Sequence, residues 1–142
     1  MYLLDTDVVS ELRKVRSGKA DPNVAAWSAT APVGTLYLSV VTILELETGV
    51  IDVERRDGAK GRVLRAWLED HVLPAFDGRV LPIDTAVARR GASLHVPKPL
   101  ADLDALIAAT ALVHGMTVVT RNVADFVASG VALLNPWQRP GS

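Results

Sequence analysis

The chain has 142 residues, of which 49% are apolar, and its formal net charge is −1. This length fits one domain that buries roughly two thirds of its unfolded surface, so we predict a single domain over 1–142 with 135–142 as a tail. The absence of cysteine excludes disulfides and thiolate metal sites. The balanced charge predicts no overall attraction to nucleic acid, and no apolar run approaches the roughly 20 residues of a membrane span. The first ten residues lack a positively charged leader, so we expect a cytoplasmic protein that does not contact membranes.

Strand-forming runs alternate with helical patterns along the whole chain. Strands are predicted over 1–5, 35–40, 80–83, 116–120 and 131–134, the third near a sheet edge because it contains Pro82. Helices are predicted over 8–14, 22–29, 42–54, a longer segment ending near 74, 85–94 and 102–114, with a helical turn over 122–126. Asp21, Asp84 or Thr85, and Asp102 are the expected N-caps, 95–99 is a loop, and Gly115 ends the last long helix. Such alternation predicts an α/β fold with a parallel sheet of about five strands between two helical layers.

Acidic and amide side chains recur where this sheet would place a ligand. Asp5 ends the first strand, and ligands of open α/β sheets bind beyond the carboxyl ends of the strands. Glu45 falls in the first turn of the helix after the second strand, and Asp104 in the first turn of the helix before the fourth strand. Asn122 and Asp125 follow the fourth strand. Carboxylates brought together in this way predict a site for Mg²⁺ or Mn²⁺ and metal-assisted hydrolysis.

Each of these residues also has a simpler interpretation. Asp104 could complement the helix dipole, and Asp125 could be an ordinary surface acid. Periodicity does not decide between Glu45 and its neighbour Glu47, since Glu47 lies if anything nearer the apolar stripe. Asp5 is the hardest to explain without a ligand, because an acid that closes a buried strand needs a partner.

Four segments carry a resemblance to a known family. They are LDTDVVSEL at 4–12, SVVTILELETG at 39–49, DALIAATA at 104–111 and VVTRNVADF at 118–126. In this order they resemble the successive motifs of PIN-domain ribonucleases, and more closely those of the VapC toxins of bacterial toxin–antitoxin pairs. The resemblance spans nearly the whole chain.

The resemblance implies a Rossmann-like PIN domain whose acidic pocket binds Mg²⁺ or Mn²⁺. The implied activity is endoribonuclease cleavage of transfer or ribosomal RNA, leaving 5′-phosphate and 3′-hydroxyl ends. On the matching positions, Asp5 and Asp104 would hold the ion, and Glu45 would position it or accept a proton. Family members of this type form homodimers and are neutralised by a VapB-type antitoxin, which often places an arginine in the active-site groove.

Two positions depart from the family pattern. The fourth acidic position is occupied by Asn122, so Asp125 one turn later is a candidate for the missing charge. Asp7 stands where the family often has Asn, and it either compensates for that charge or caps the following helix. Thr6, Ser10 and Thr120 match polar pocket positions, with local capping as an equally good interpretation.

Other features bear on RNA binding. Arg121 lies beside the predicted pocket and is the better phosphate-binding candidate. A cluster formed by Arg55, Arg56, Lys60, Arg62 and Arg65 is more simply a solvated helix face. Trp137 is a packing residue, or a subunit or antitoxin contact.

Two alternatives to a ribonuclease remain open from the residues. A haloacid-dehalogenase-type phosphatase also begins with an apolar strand and Asp-x-Asp, with Asp5 as nucleophile and Asp7 as acid. The spacing of Lys98 from the later acids and the lack of a cap insertion disfavour it. The other alternative is a non-catalytic PIN-like binding domain, which Asn122 keeps open.

Overall fold

The computed structural model describes residues 1–95 and 101–139, and the predicted loop over 95–99 lies outside them except for residue 95. Its centre is a five-stranded sheet in the order β3-β2-β1-β4-β5, in which every neighbouring pair is parallel. The strands are β1 (Tyr2–Leu4), β2 (Leu36–Ser39), β3 (Val80–Leu81), β4 (Thr117–Val119) and β5 (Leu133–Leu134). The predicted α/β class and the edge position of the third strand are confirmed.

Helices cover the sheet and follow the predicted order. They are α1 (Thr6–Leu12), α2 (Pro22–Thr30), α3 (Val40–Arg56), α4 (Gly58–Trp67), α5 (Leu73–Ala75), α6 (Thr85–Ser93) and α7 (Asp102–His114). Short 3₁₀ turns occupy Val33–Thr35, Val123–Asp125 and Val127–Ser129. Among the helices that the structure describes, none is long and apolar enough to span a membrane.

The first strand lies at the middle of the sheet because its residues are buried on both faces. Leu3 and Leu4 are both fully buried, and they belong to separate apolar clusters. Successive strand residues point to opposite faces, so Leu3 packs with one helical layer and Leu4 with the other. This position brings Asp5, the next residue, to the carboxyl end of the central strand.

Two of the predicted helix starts were wrong in ways that matter for the site. The helix α3 begins at Val40, with buried Ser39 as its N-cap, so Glu45 lies in the second turn rather than the first. Ala101 occupies the N-cap position of α7 without a side-chain hydrogen bond, so Asp102 does not cap that helix. Gly115 ends α7 in the left-handed conformation at φ 67°, as predicted.

The predicted long helix ending near residue 74 is interrupted. A π-helical turn over Leu68–Val72 separates α4 from α5. The buried residues Leu68 and Val72 still face the core across this turn. The sequence gives no local signal for it, because the apolar spacing continues through both segments.

Candidate acidic active site

Asp5 joins the central strand to α1 and is only 7% exposed. Its Oδ1 accepts a hydrogen bond from the backbone N–H of Thr6 at 2.8 Å, which makes it the N-cap of α1. Its Oδ2 accepts a hydrogen bond from Thr120 Oγ1, also at 2.8 Å. Thr120 is adjacent because β1 and β4 are paired in parallel and end at the same edge. The buried carboxylate is therefore fixed in orientation by two donors from different elements.

Glu45 reaches the same edge from α3. Its Oε1 accepts a hydrogen bond from Thr6 Oγ1 at 2.7 Å. Glu47, by contrast, forms an ion pair with Arg65 at 2.6 Å. The geometry thus separates two glutamates that periodicity left undecided: Glu45 contacts the residue after Asp5, and Glu47 does not belong to this site.

Asp104 and Asp125 complete a group of acids at this edge. Burial, and then the negative charges of Asp5, Asp125 and Glu45, raise the pKa of Asp104 to about 6. Burial also raises the pKa of Asp5, and the charge of Asp125 adds to this, while the hydrogen bonds from Thr120 and Thr6 oppose it. Carboxylates from the end of β1, from α3, from α7 and from the turn after β4 are therefore close enough to repel one another.

Asp7 contacts the loop after β4. Its Oδ2 accepts a hydrogen bond from the backbone N–H of Arg121 at 3.0 Å and a long one from Asn122 Nδ2 at 3.5 Å. Its Oδ1 is buried and has no hydrogen-bond partner among the described residues. Burial and the charge of Asp5 raise the pKa of Asp7 to about 6, although the backbone N–H groups of Arg121 and Val8 favour its charged form.

Asn122 is exposed and therefore does not enter the site as a buried ligand. Its backbone N–H donates to Thr120 Oγ1 at 3.0 Å, so it supports the hydroxyl that holds Asp5. Ser10, a predicted polar pocket residue, is exposed on α1.

The C-terminal segment packs against the domain rather than forming a free tail over its described part. Trp137 is half-buried against the core, and its carbonyl oxygen accepts a hydrogen bond from Asn23 Nδ2 at 2.8 Å. The guanidinium of Arg121 lies 5.2 Å from the centroid of the Trp137 ring. Asn135, which the sequence did not single out, donates to the carbonyl oxygen of Arg121 at 3.5 Å.

A groove of about 660 Å³ lies between α2 and this C-terminal segment. Its lining residues are Pro22, Asn23, Ala26, Trp27, Thr30, Leu134, Asn135, Pro136, Gln138 and Arg139. One of these lining residues, Asn135, contacts Arg121, whose backbone N–H in turn donates to Asp7, so the groove is linked to the acidic site through these residues.

The basic cluster on α3 and α4 is partly neutralised. Arg65 forms ion pairs with Glu47 at 2.6 Å and Glu54 at 2.9 Å, and Arg56 pairs with Asp52 at 2.9 Å. These contacts favour the interpretation of this cluster as a solvated helix face.

The donor set fits a hydrated divalent cation rather than a closed metal cage. Within residues 1–95 and 101–139, no three Asp, Glu, His or Cys side chains are arranged as a group that could hold a metal ion. Mg²⁺ commonly binds through one or two carboxylates and retains several waters. Asp5 and Asp104 are such a pair, since the charge of Asp5 acts on Asp104. The unpartnered Oδ1 of Asp7, a residue on which the charge of Asp5 also acts, is a further anionic oxygen. All are hard ligands, which suits Mg²⁺ or Mn²⁺.

Comparison with known proteins identifies this arrangement. The family model described as PIN domain matches residues 2–126. The chain belongs to the PIN domain family.

Relatives of this PIN domain are matched over nearly their whole length. The chain is 39% identical to VapC ribonuclease Y4jK of Sinorhizobium fredii, covering 97% of this chain and 99% of that protein. It is 41% identical to Toxin FitB of Neisseria gonorrhoeae, covering 96% and 99%. The crystal structure of FitAcB from the same organism superposes with a TM-score of 0.88 at 39% identity, covering 98% of this chain and 100% of that one. The resemblance to VapC-type PIN domains that the four motifs indicated is confirmed.

Proposed function

We propose that this PIN domain is the toxin of a toxin–antitoxin pair, an endoribonuclease that depends on Mg²⁺ or Mn²⁺. One observation carries the proposal: Asp5, Glu45 and Asp104, from separate segments, come together at one sheet edge, where burial and then the charges of Asp5, Asp125 and Glu45 raise the pKa of Asp104 to about 6. A cation would relieve this repulsion, and hydrolysis of RNA phosphodiesters is the chemistry of the relative named as a VapC ribonuclease.

The residues of the acidic site have different roles in hydrolysis. Asp5 and Asp104 would hold the cation, and the donors Thr6 and Thr120 keep Asp5 in its orientation. When bound, the cation lowers the pKa of water and neutralises charge that develops on the phosphoryl oxygens. Glu45 is held by Thr6 Oγ1 at 2.7 Å, where it accepts a proton as water attacks in line. The products carry 5′-phosphate and 3′-hydroxyl ends.

Arg121 supplies positive charge beside this acidic edge. It is exposed, and its guanidinium is kept over the Trp137 ring. In a chain of net charge −1, a cation and this arginine provide the local attraction for an RNA backbone. Transfer or ribosomal RNA is the substrate class expected from the resemblance.

An antitoxin of the VapB type would neutralise the enzyme, and the enzyme would act as a homodimer. The antitoxin is supported by the relative named Toxin FitB and by the solved FitAcB structure that this chain matches. The groove between α2 and the C-terminal segment is linked to Asp7 through Asn135 and Arg121, so an antitoxin segment lying there could extend an arginine toward the acids.

Cleavage assays on transfer and ribosomal RNA test this function. Wild-type protein should cleave with Mn²⁺ and stop when the metal is chelated, and Asp5→Ala should be inactive. Glu45→Gln and Glu47→Gln form a matched pair: the first should lose activity, whereas the second should retain it because Glu47 pairs with Arg65 instead. Cleavage that survives both the chelator and Asp5→Ala would refute the metal mechanism.

A further inference from the structure

Asp7 carries the least satisfied oxygen of the acidic site. Its Oδ1 is one of two buried side-chain oxygens in the described residues that have no hydrogen-bond partner. The other belongs to the neutral hydroxyl of Thr42. A carboxylate oxygen removed from water without a donor is much more costly than an unpaired hydroxyl, because it carries charge.

Helix capping does not explain this side chain. Asp5, not Asp7, is the N-cap of α1. The backbone N–H of Val8 donates its hydrogen bond to the carbonyl oxygen of Asp5 and only lies near the Asp7 carboxylate, whose charged form it favours. The Oδ2 atom of Asp7 is bound instead by Arg121 and Asn122, which follow β4. Two groups from another part of the chain thus fix one oxygen and leave the other free.

We propose that Asp7 supplies the fourth negative charge of the cation site, and that Asn122 is the residue that positions it. This inference rests on the proposed function, since the cation is the one that Asp5 and Asp104 would hold. No three acids form a closed group among the described residues, so Asp7 acts on the hydrated cation through its charge and as a hydrogen-bond acceptor. Asn122 contributes its amide to Asp7 rather than an oxygen to the cation.

Because Asp7 and Asn122 are in contact, exchanging the two residues tests this proposal. The two side chains meet, at 3.5 Å, across 115 positions of sequence. Moving the negative charge from one to the other should leave the total charge of the site unchanged. Asp7→Asn should therefore weaken cation binding, and the exchanged double variant Asp7→Asn/Asn122→Asp should recover it.

Mn²⁺ binding measured by electron paramagnetic resonance, without RNA, tests this directly. Outer-sphere residues of metal sites typically change affinity 10–100-fold, so Asp7→Asn should weaken Mn²⁺ binding about 10-fold or more. The double variant should bind close to the wild-type level. Asp70→Asn is the charge-matched control, because Asp70 is exposed and does not affect the pKa of Asp5, Asp7 or Asp104.

Thermal unfolding in chelator separates this role from a structural one. If Asp7 holds an uncompensated buried charge, Asp7→Asn should raise the melting temperature of the metal-free protein. If Asp7 only complements the dipole of α1, the same variant should lower it and leave Mn²⁺ affinity unchanged.

Three results of these experiments would each overturn a different part of the proposal. Wild-type protein that binds no Mn²⁺ would overturn the metal mechanism itself, and this inference with it. Wild-type binding that Asp7→Asn leaves unchanged would overturn only the role of Asp7. Loss in Asp7→Asn without recovery in the double variant would overturn the assignment of Asn122 as its positioning residue.

Discussion

Replacing Thr120 by valine isolates the hydrogen bond that orients Asp5. Thr120 is fully buried, and its hydroxyl donates to Asp5 Oδ2 at 2.8 Å while accepting from the backbone N–H of Asn122. Valine keeps the shape but removes the donor, and a hydrogen bond to a charged group contributes about 1.5–3 kcal/mol. Because the acceptor is a buried carboxylate, we expect Thr120→Val to lower the free energy of unfolding by about 2–3 kcal/mol at pH 8.

Thr120→Ser is the matched control for this substitution. Serine retains the hydroxyl and loses only a methyl group, which should lower the free energy of unfolding by about 1 kcal/mol. Urea denaturation of both variants in chelator provides the comparison, and Mn²⁺ affinity should follow the same order. If Thr120→Ser were the less stable of the two, apolar packing rather than the bond to Asp5 would hold this edge together, and the reasoning would be refuted.

Three further predictions concern pH, packing and RNA. The pKa values of Asp7 and Asp104 are raised from 3.8 to about 6, so between these pH values the folded protein binds more protons than the unfolded chain. The stability of the metal-free protein should therefore fall as the pH rises from about 4 to above 6. Thermal unfolding measures this trend, and a rise in stability over the same range would contradict the prediction. Gly61→Ala would place a Cβ 2.5 Å from the α3 backbone and should destabilise by about 1–3 kcal/mol in urea. Gly49→Ala meets no atom within 4 Å and should be neutral or slightly stabilising. Arg121→Ala should weaken RNA binding uniformly across sequences and reduce by about 1 the slope of the logarithm of the binding constant against the logarithm of the salt concentration. An unchanged slope would exclude a phosphate contact.

The sequence was most informative where local chemistry and fold agree. The apolar run before Asp5 predicted a buried strand, and Leu3 and Leu4 do pack against different helical layers. Asp21 caps α2 and Gly115 ends α7 as their residue types indicated. In each case a few adjacent residues determine the outcome.

The site was predicted less completely because its contacts are long-range. Periodicity could not choose Glu45 over Glu47, since the choice depends on the hydroxyl of Thr6, 39 positions away. The contact between Asp7 and the loop after β4 depends on the parallel pairing of β1 with β4, which no local pattern reveals. The packing of Trp137 over Arg121 likewise requires the whole sheet to be in place.

The bond between Thr120 and Asp5 spans 115 positions, and this separation bears on how such a protein is made. Asp5 emerges from the ribosome early, but β4 and Thr120, which orients Asp5, emerge only after most of the polypeptide has been synthesised. Closing so large a loop comes late in folding. A nascent chain would therefore lack an ordered active site until translation is nearly finished, so an inhibitor that is already present could bind the chain as it folds.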